Sequence, residues 1–168
     1  MNAAPFQPPP DLIAGETKHW IVNHRMGAKL PGYLMIGLRH STASLGGIPP
    51  EGLRELGGVM AVVQQAVQEI LAPEQIHIAR YGHMGGHSFH FHVIPVCAWL
   101  KRAFLADARY RLLGSFNTPG VERSPVDGAE LTLYVWREFC ESKTPPPVEG
   151  LSVEEAIQKL RQRLAGKL

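Results

Sequence analysis

Residues 87–95, His87-Ser88-Phe89-His90-Phe91-His92-Val93-Ile94-Pro95, set two histidines two positions apart in a run of strand-forming side chains. Successive side chains on a strand point to opposite sides, so Ser88, His90 and His92 line one surface while Phe89, Phe91 and Val93 pack on the other. Any fold this chain adopts has to hold that strand in a sheet, with a core on one side and a polar stripe on the other. Two aligned imidazoles with a hydroxyl continuing the line are costly to bury without a purpose. Imidazole titrates near neutral pH, acts as nucleophile or general base, and is the commonest metal ligand, so structural hydrogen bonding, catalysis and metal binding all fit the spacing.

The other elements follow from local patterns. Residues 50 to 72 carry Leu53, Leu56, Met60, Val63, Val67 and Ile70 at the alternating three and four spacing of a helix with one buried face, and Pro73 stops it. Lys18–His24, Tyr33–Leu38 and Gln75–Tyr81 read as strands, the first two joined through the Pro31-Gly32 turn signal. Pro-rich residues 5 to 10 form an extended surface lead-in. After residue 100 the pattern leaves Lys101–Leu113 open between helix and irregular structure and makes Gly114–Pro125 a loop. Asp127 caps a helix through Glu130 to Glu141 with Leu131, Tyr134, Val135 and Phe139 on one side and Trp136 partly exposed. Pro145-Pro146-Pro147 is a linker, and Ser152-Val153-Glu154-Glu155 is a capping box that opens a final helix to about Leu164.

The segment His90-Phe91-His92-Val93-Ile94-Pro95 resembles the end of the signature of the histidine triad family, in which three alternating histidines precede two aliphatics and often a proline. Ser88 stands where the first histidine would be. Upstream, Pro31-Gly32-Tyr33-Leu34-Met35-Ile36-Gly37-Leu38-Arg39-His40 is similar to the family's turn, apolar strand and basic residue followed by histidine, with a helix of the expected kind between the two. The likeness spans about residues 15 to 100. It implies an α+β fold: an antiparallel sheet of about five strands with a long helix packed on it. The expected organisation is a lead-in over 1–14, the domain over 15–100, and a C-terminal helical extension over 101–168 with a terminal helix over 152–165.

The resemblance also implies a chemistry. The middle histidine, His90, attacks the α-phosphorus of a nucleotide and is transiently nucleotidylated, and water then releases the nucleoside monophosphate. A backbone carbonyl beside the triad holds its tautomer. His92 contacts the phosphate or bridging oxygens, and Ser88 keeps hydrogen-bonding capacity but cannot carry charge. The family's acidic ribose ligand falls near Asn23 or His24, and its loop glutamine falls at Met84. Arg80 and His83 are candidates to reach the phosphates, and His87 to replace the missing histidine if a bulge rotates the strand. Ile21, Val22 and Leu34 are either walls for a base or plain core, His40 is structural at the edge of the site, and Trp20 and Trp99 are core or dimer contacts. A homodimer is implied, with no resident metal or cofactor and a divalent cation at most accompanying the substrate phosphates.

Bulk properties bound these readings. A chain of 168 residues with 45% apolar and 19% charged composition suits one well-filled domain with appendages. A net charge of +2 with no basic run gives no basis for duplex nucleic acid binding. Two distant cysteines and the lack of an apolar run near the roughly 18 residues that span a bilayer place the protein in the cytoplasm as an expectation. Two rival functions stand beside the hydrolase or transferase: a nucleotide-binding module without turnover, and a metal-dependent hydrolase in which His83 or His40 completes the ligand set.

Overall fold

Leu30-Pro31-Gly32-Tyr33 closes as a type II turn: Tyr33 N–H donates to the Leu30 carbonyl at 3.3 Å, proline fixes the first central residue, and Gly32 takes φ +72°, which a side chain would resist. The turn aligns β2 (Trp20–His24) with β3 (Leu34–Leu38) in an unbroken antiparallel register from Trp20↔Leu38 to His24↔Leu34. The computed structural model describes residues 6–81, 88–110 and 128–168. In it β1 (Ile13–Glu16), β4 (Gln75–Ala79) and β5 (His90–Val96) complete one antiparallel sheet of order β1-β2-β3-β5-β4. The long helix α1 (Pro50–Leu71) connects β3 to β4, and β5 returns between them. After it come α2 (Ala98–Ala106), α3 (Gly128–Val135) and α4 (Val153–Leu164).

The period-two pattern of β5 separates two cores. Phe89 and Val93 join Trp20, Val22, Leu34, Ile36 and Leu38 under α1 and α4, where Val59, Val63, Ala66, Val67, Leu160 and Leu164 cover that face. Ile94 and Val96 point the other way and pack with Tyr33, Leu100, Phe104, Leu131, Tyr134 and Phe139 from the turn, α2 and α3. His90 and His92 share this second face, so α2 and α3 pack on the side of the histidines, and α4 closes the opposite core.

Several elements differ from the sequence reading for identifiable reasons. Strand β1 begins inside the stretch assigned to the lead-in, because Ile13–Glu16 pairs with β2 and lies under α4, whose Arg161 donates to the Ile13 and Asp11 carbonyls at 2.9 Å each. Strand β2 starts at Trp20 rather than Lys18, since Thr17 Oγ1 accepts the His19 and Trp20 amides in a tight turn. Helix α1 keeps the expected stripe at Val63 and Val67, which are buried, and at Leu56, Met60 and Ile70, which pack on the core, but in its first turn Gly52 is buried and Leu53 is 41% exposed. The cause is the close approach at Gly52, whose carbonyl accepts Trp20 Nε1–H at 2.9 Å and where a Cβ would meet Ile48 and His19.

Over 98–110 the chain is α2 followed by a 3-10 turn at Ala108–Tyr110. The expected loop 114–125 and the Asp127 cap lie outside the described residues. Leu131, Tyr134, Val135 and Phe139 are buried on one side of α3 and of the π turn Trp136–Glu141 that continues it. The π winding brings Phe139 under Tyr134, five residues earlier, with ring centroids 6.1 Å apart. The capping box at Ser152 and Glu155 is present in both directions. Among the described residues no helix is long and apolar enough to cross a membrane.

Candidate functional site

Strand register puts the site side chains in two rows across the sheet. Gly37 lies opposite both Ile21 and His90, and Met35 lies opposite both Asn23 and His92, with Ala79 of β4 closing the second row. Partners opposite each other in antiparallel strands share a face. Asn23 therefore lies on the histidine face, and His24, one residue on, lies on the other.

His90 is 6% exposed, and its Nδ1 lies 2.7 Å from the Ser88 carbonyl oxygen. A carbonyl only accepts, so Nδ1 carries the proton, and in the neutral ring the lone pair is on Nε2. The carbonyl that faces this ring nitrogen is that of Ser88. The ring of Phe6 stacks on His90 at 5.9 Å and 27°, over Gly37, where any Cβ would collide with it. A lone glycine in an apolar strand is the sequence sign of such a close approach.

His92 is 3% exposed and stands next to His90 with ring centroids 5.2 Å apart at 69°. Its Nδ1 is 2.9 Å from the hydroxyl of Tyr33. Tyr81 packs against it at 5.3 Å and is itself held by a 3.0 Å bond from its hydroxyl to Thr132 Oγ1, so α3 braces this side of the site. Sequence reasoning missed Tyr33 and Phe6: nothing local in a turn or in a proline-rich lead-in says which imidazole its aromatic ring will meet.

The remaining candidates are placed as follows. Ser88 precedes β5, and its hydroxyl points to main-chain carbonyls, at 2.6 Å from His40 and 3.2 Å from Leu38. It clamps the chain leaving β3, while its own carbonyl orients His90. Arg80 does not share the histidine face: it donates to the Ala43 carbonyl at 2.7 Å, and its guanidinium lies 4.3 Å from the Phe89 ring centroid, on the side of the first core. Asn23 is buried, its Nδ2 donating to the His24 carbonyl at 2.6 Å and its Oδ1 lacking a hydrogen-bond partner. Val22 and Leu34 are core, Ile21 lies in the row of His90, Trp20 is fully buried, and Trp99 packs edge-on against Phe139. His40 is exposed and stacks on His19 at 5.2 Å. His83 and His87 lie outside the described residues. Among the described residues no three His, Cys, Asp or Glu side chains converge in a way that could hold a metal ion.

His24 is 1% exposed, and its Nε2–H donates to the Leu30 carbonyl at 3.0 Å, securing the turn that places Tyr33. Burial holds its pKa below the ordinary 6.5, outweighing the backbone hydrogen bonds that favour the charged ring. The unfolded chain thus binds the proton first as pH falls. The stability from this group is complete above 6.5 and is lost as pH drops from there toward the lower folded value. The urea midpoint of the wild type should fall across that interval, and a His24→Gln variant should show a shallower fall. An equal slope in both proteins would remove His24 as the cause.

No protein-family model and no curated protein sequence matches this chain at a significant level. Solved structures do match its fold. A HIT-like protein involved in cell-cycle regulation from Bartonella henselae superposes with a TM-score of 0.53 at 15% identity, over 93% of this chain and 88% of that one. A zinc-bound histidine triad family protein from Mycobacterium smegmatis gives 0.53 at 17% identity, over 94% and 86%. The fold is that of the histidine triad proteins. A third histidine triad structure, a hypothetical nucleotide-binding protein from Sulfolobus tokodaii, gives 0.51 at 11% identity over 94% and 87%.

Proposed function

We propose that the protein is a nucleotide hydrolase or transferase that acts at the α-phosphate of a dinucleoside polyphosphate or a related nucleotide, with His90 as nucleophile. The observation that supports this reading is the 2.7 Å bond from His90 Nδ1 to the Ser88 carbonyl, which puts the lone pair of the neutral ring on Nε2. That lone pair forms a bond to the α-phosphorus while the bond from phosphorus to the bridging oxygen breaks. The bridging oxygen departs as a terminal phosphate oxygen of the leaving nucleotide, an anion that needs no proton at neutral pH. The ring becomes cationic as its Nε2 is substituted, and the Ser88 carbonyl, already accepting from Nδ1–H, stabilises that charge. Water then attacks phosphorus and loses a proton to solvent, the P–N bond breaks with its electron pair returning to Nε2, and the nucleoside monophosphate leaves the neutral ring.

In this reading His92 contacts the phosphate oxygens, and Asn23 Oδ1, an acceptor without a partner on the same face, receives a ribose hydroxyl. Ser88 occupies the place of the first histidine and contributes through its carbonyl, its hydroxyl being spent on the loop after β3. His90 and His92 are 6% and 3% exposed, and in this reading the Phe6 ring that stacks on His90 gives way to the substrate.

The test is a panel containing a diadenosine polyphosphate, a nucleoside phosphoramidate and a sugar nucleotide, each with magnesium. Aliquots are quenched in alkaline denaturant, which preserves phosphohistidine bonds. Mass spectrometry should find a nucleotidyl adduct on His90 with at least one of them. Binding of these nucleotides without adduct or turnover would replace the enzyme by a binding module.

A further inference from the structure

We infer that Tyr33 is a positioning residue for His92: its hydroxyl, 2.9 Å from Nδ1, donates to that nitrogen and holds the ring as the tautomer with its proton on Nε2. The inference deepens the nucleotidyl-transfer reading and rests on it for its catalytic meaning. A phenol and an imidazole at this distance share one proton in one of two ways, and the surroundings decide which. Tyr33 is 1% exposed, and burial raises its pKa well above the ordinary 10.0, so the hydroxyl keeps its proton at neutral pH. The Arg25 guanidinium lies 5.6 Å from the Tyr33 ring centroid and 5.4 Å from that of Trp136, wedged between the turn and the π turn that follows α3. A guanidinium has donors only, so it can satisfy the phenol oxygen but cannot take its proton. Among the described residues, the acceptor within hydrogen-bond distance of that proton is Nδ1 of His92.

Arg25 is tied to the same strand end, since its amide donates to the Tyr33 carbonyl at 2.8 Å. Tyr33 itself is placed by the type II turn. The phenol therefore arrives at His92 on a rigid support, which is what orienting a neighbouring ring requires.

The consequence is a pair of imidazoles in opposite tautomers on adjacent pleats. His90 has its proton on Nδ1 and its lone pair on Nε2, and His92 has the reverse. A lone pair for phosphorus and an N–H for a phosphate oxygen then stand side by side, with ring centroids 5.2 Å apart. No proton leaves His92 during the reaction: its Nε2–H strengthens a hydrogen bond as charge builds on the phosphate oxygens.

Two-bond proton–nitrogen spectra of protein labelled with 15N-histidine read the tautomer without substrate. In the wild type, His92 should show Nδ1 as the unprotonated nitrogen and Nε2 as the protonated one. A His92 that carries its proton on Nδ1 overturns the proposal, whatever any variant does. Y33F keeps the ring in its packing and removes only the hydroxyl. It should shift the His92 signals toward a mixture of tautomers and lower kcat by about tenfold to a hundredfold, with KM within about threefold. Unchanged spectra and unchanged kcat in a folded Y33F also overturn it. Wild-type protein that neither binds nor turns over the nucleotide panel would overturn the nucleotidyl-transfer reading and the catalytic role given to Tyr33, while the tautomer is judged by the spectrum alone.

Discussion

Replacing His90 by asparagine is expected to reduce hydrolysis of the best nucleotide substrate by on the order of 10⁴-fold or more, because it removes the proposed nucleophile rather than a contact. Asparagine is the informative choice. Its side-chain N–H₂ can still donate to the Ser88 carbonyl, which His90 Nδ1 reaches at 2.7 Å, so local order at the start of β5 is retained. Its amide nitrogen is not nucleophilic, and no covalent adduct can form. The urea midpoint should stay close to that of the wild type while turnover disappears, separating a chemical loss from a folding loss. Turnover within tenfold of the wild type would mean that His90 is not the attacking group and that the alignment of its Nε2 has another explanation.

The second large effect is on stability. Trp20 is fully buried under the sheet, donates from Nε1 to the Gly52 carbonyl at 2.9 Å, and meets Phe89 edge-on at 6.4 Å. Trp20→Ala should cost about 3–5 kcal/mol, the cavity term adding to the lost transfer energy. Trp20→Phe should cost less, since it keeps most of the ring volume and the Gly52 carbonyl still accepts within α1, so that chiefly the Nε1–H bond is lost, at about 0.5–1.5 kcal/mol. Phe89 directly precedes His90, so loosening this contact also loosens the strand that presents His90. Urea unfolding of the three proteins checks the order. A Trp20→Ala loss under about 1.5 kcal/mol would show that α1 collapses onto the gap and that the Trp20–Gly52 contact is not what fixes the first turn of α1.

These two expectations come from different levels of the molecule. The alternation in residues 89–93 was enough to separate a histidine face from a core face, because side chains on a strand alternate whatever the strand pairs with. The Pro31-Gly32 turn and the Ser152 capping box were legible for the same reason: each is satisfied by residues within four positions of one another. On α1 the stripe through Leu56, Met60, Val63, Val67 and Ile70 follows from spacing alone, whereas in its first turn Gly52 is buried and Leu53 exposed because Trp20 docks on the Gly52 carbonyl.

The site shows the same division at finer scale. That His90 and His92 lie side by side follows from their spacing. That Asn23 rather than His24 shares their face follows from a register running through β3, and Arg80 is turned toward Phe89 by the same pairing logic. The hydroxyl of Ser88 is drawn to the carbonyl of His40, and the phenol of Tyr33 to a ring 59 positions away. Strand β1 was not visible, because four residues near a proline run have no periodicity to recognise and become a strand only when β2 supplies hydrogen bonds and α4 supplies a cover. By itself the sequence determined the strand that carries the histidines, the long helix and the cap of the last one, since these are settled by local geometry and short-range hydrogen bonds. The partners of each imidazole were decided only by tertiary structure, because a buried polar atom bonds to whatever donor or acceptor the packing brings within reach, and that depends on the whole chain.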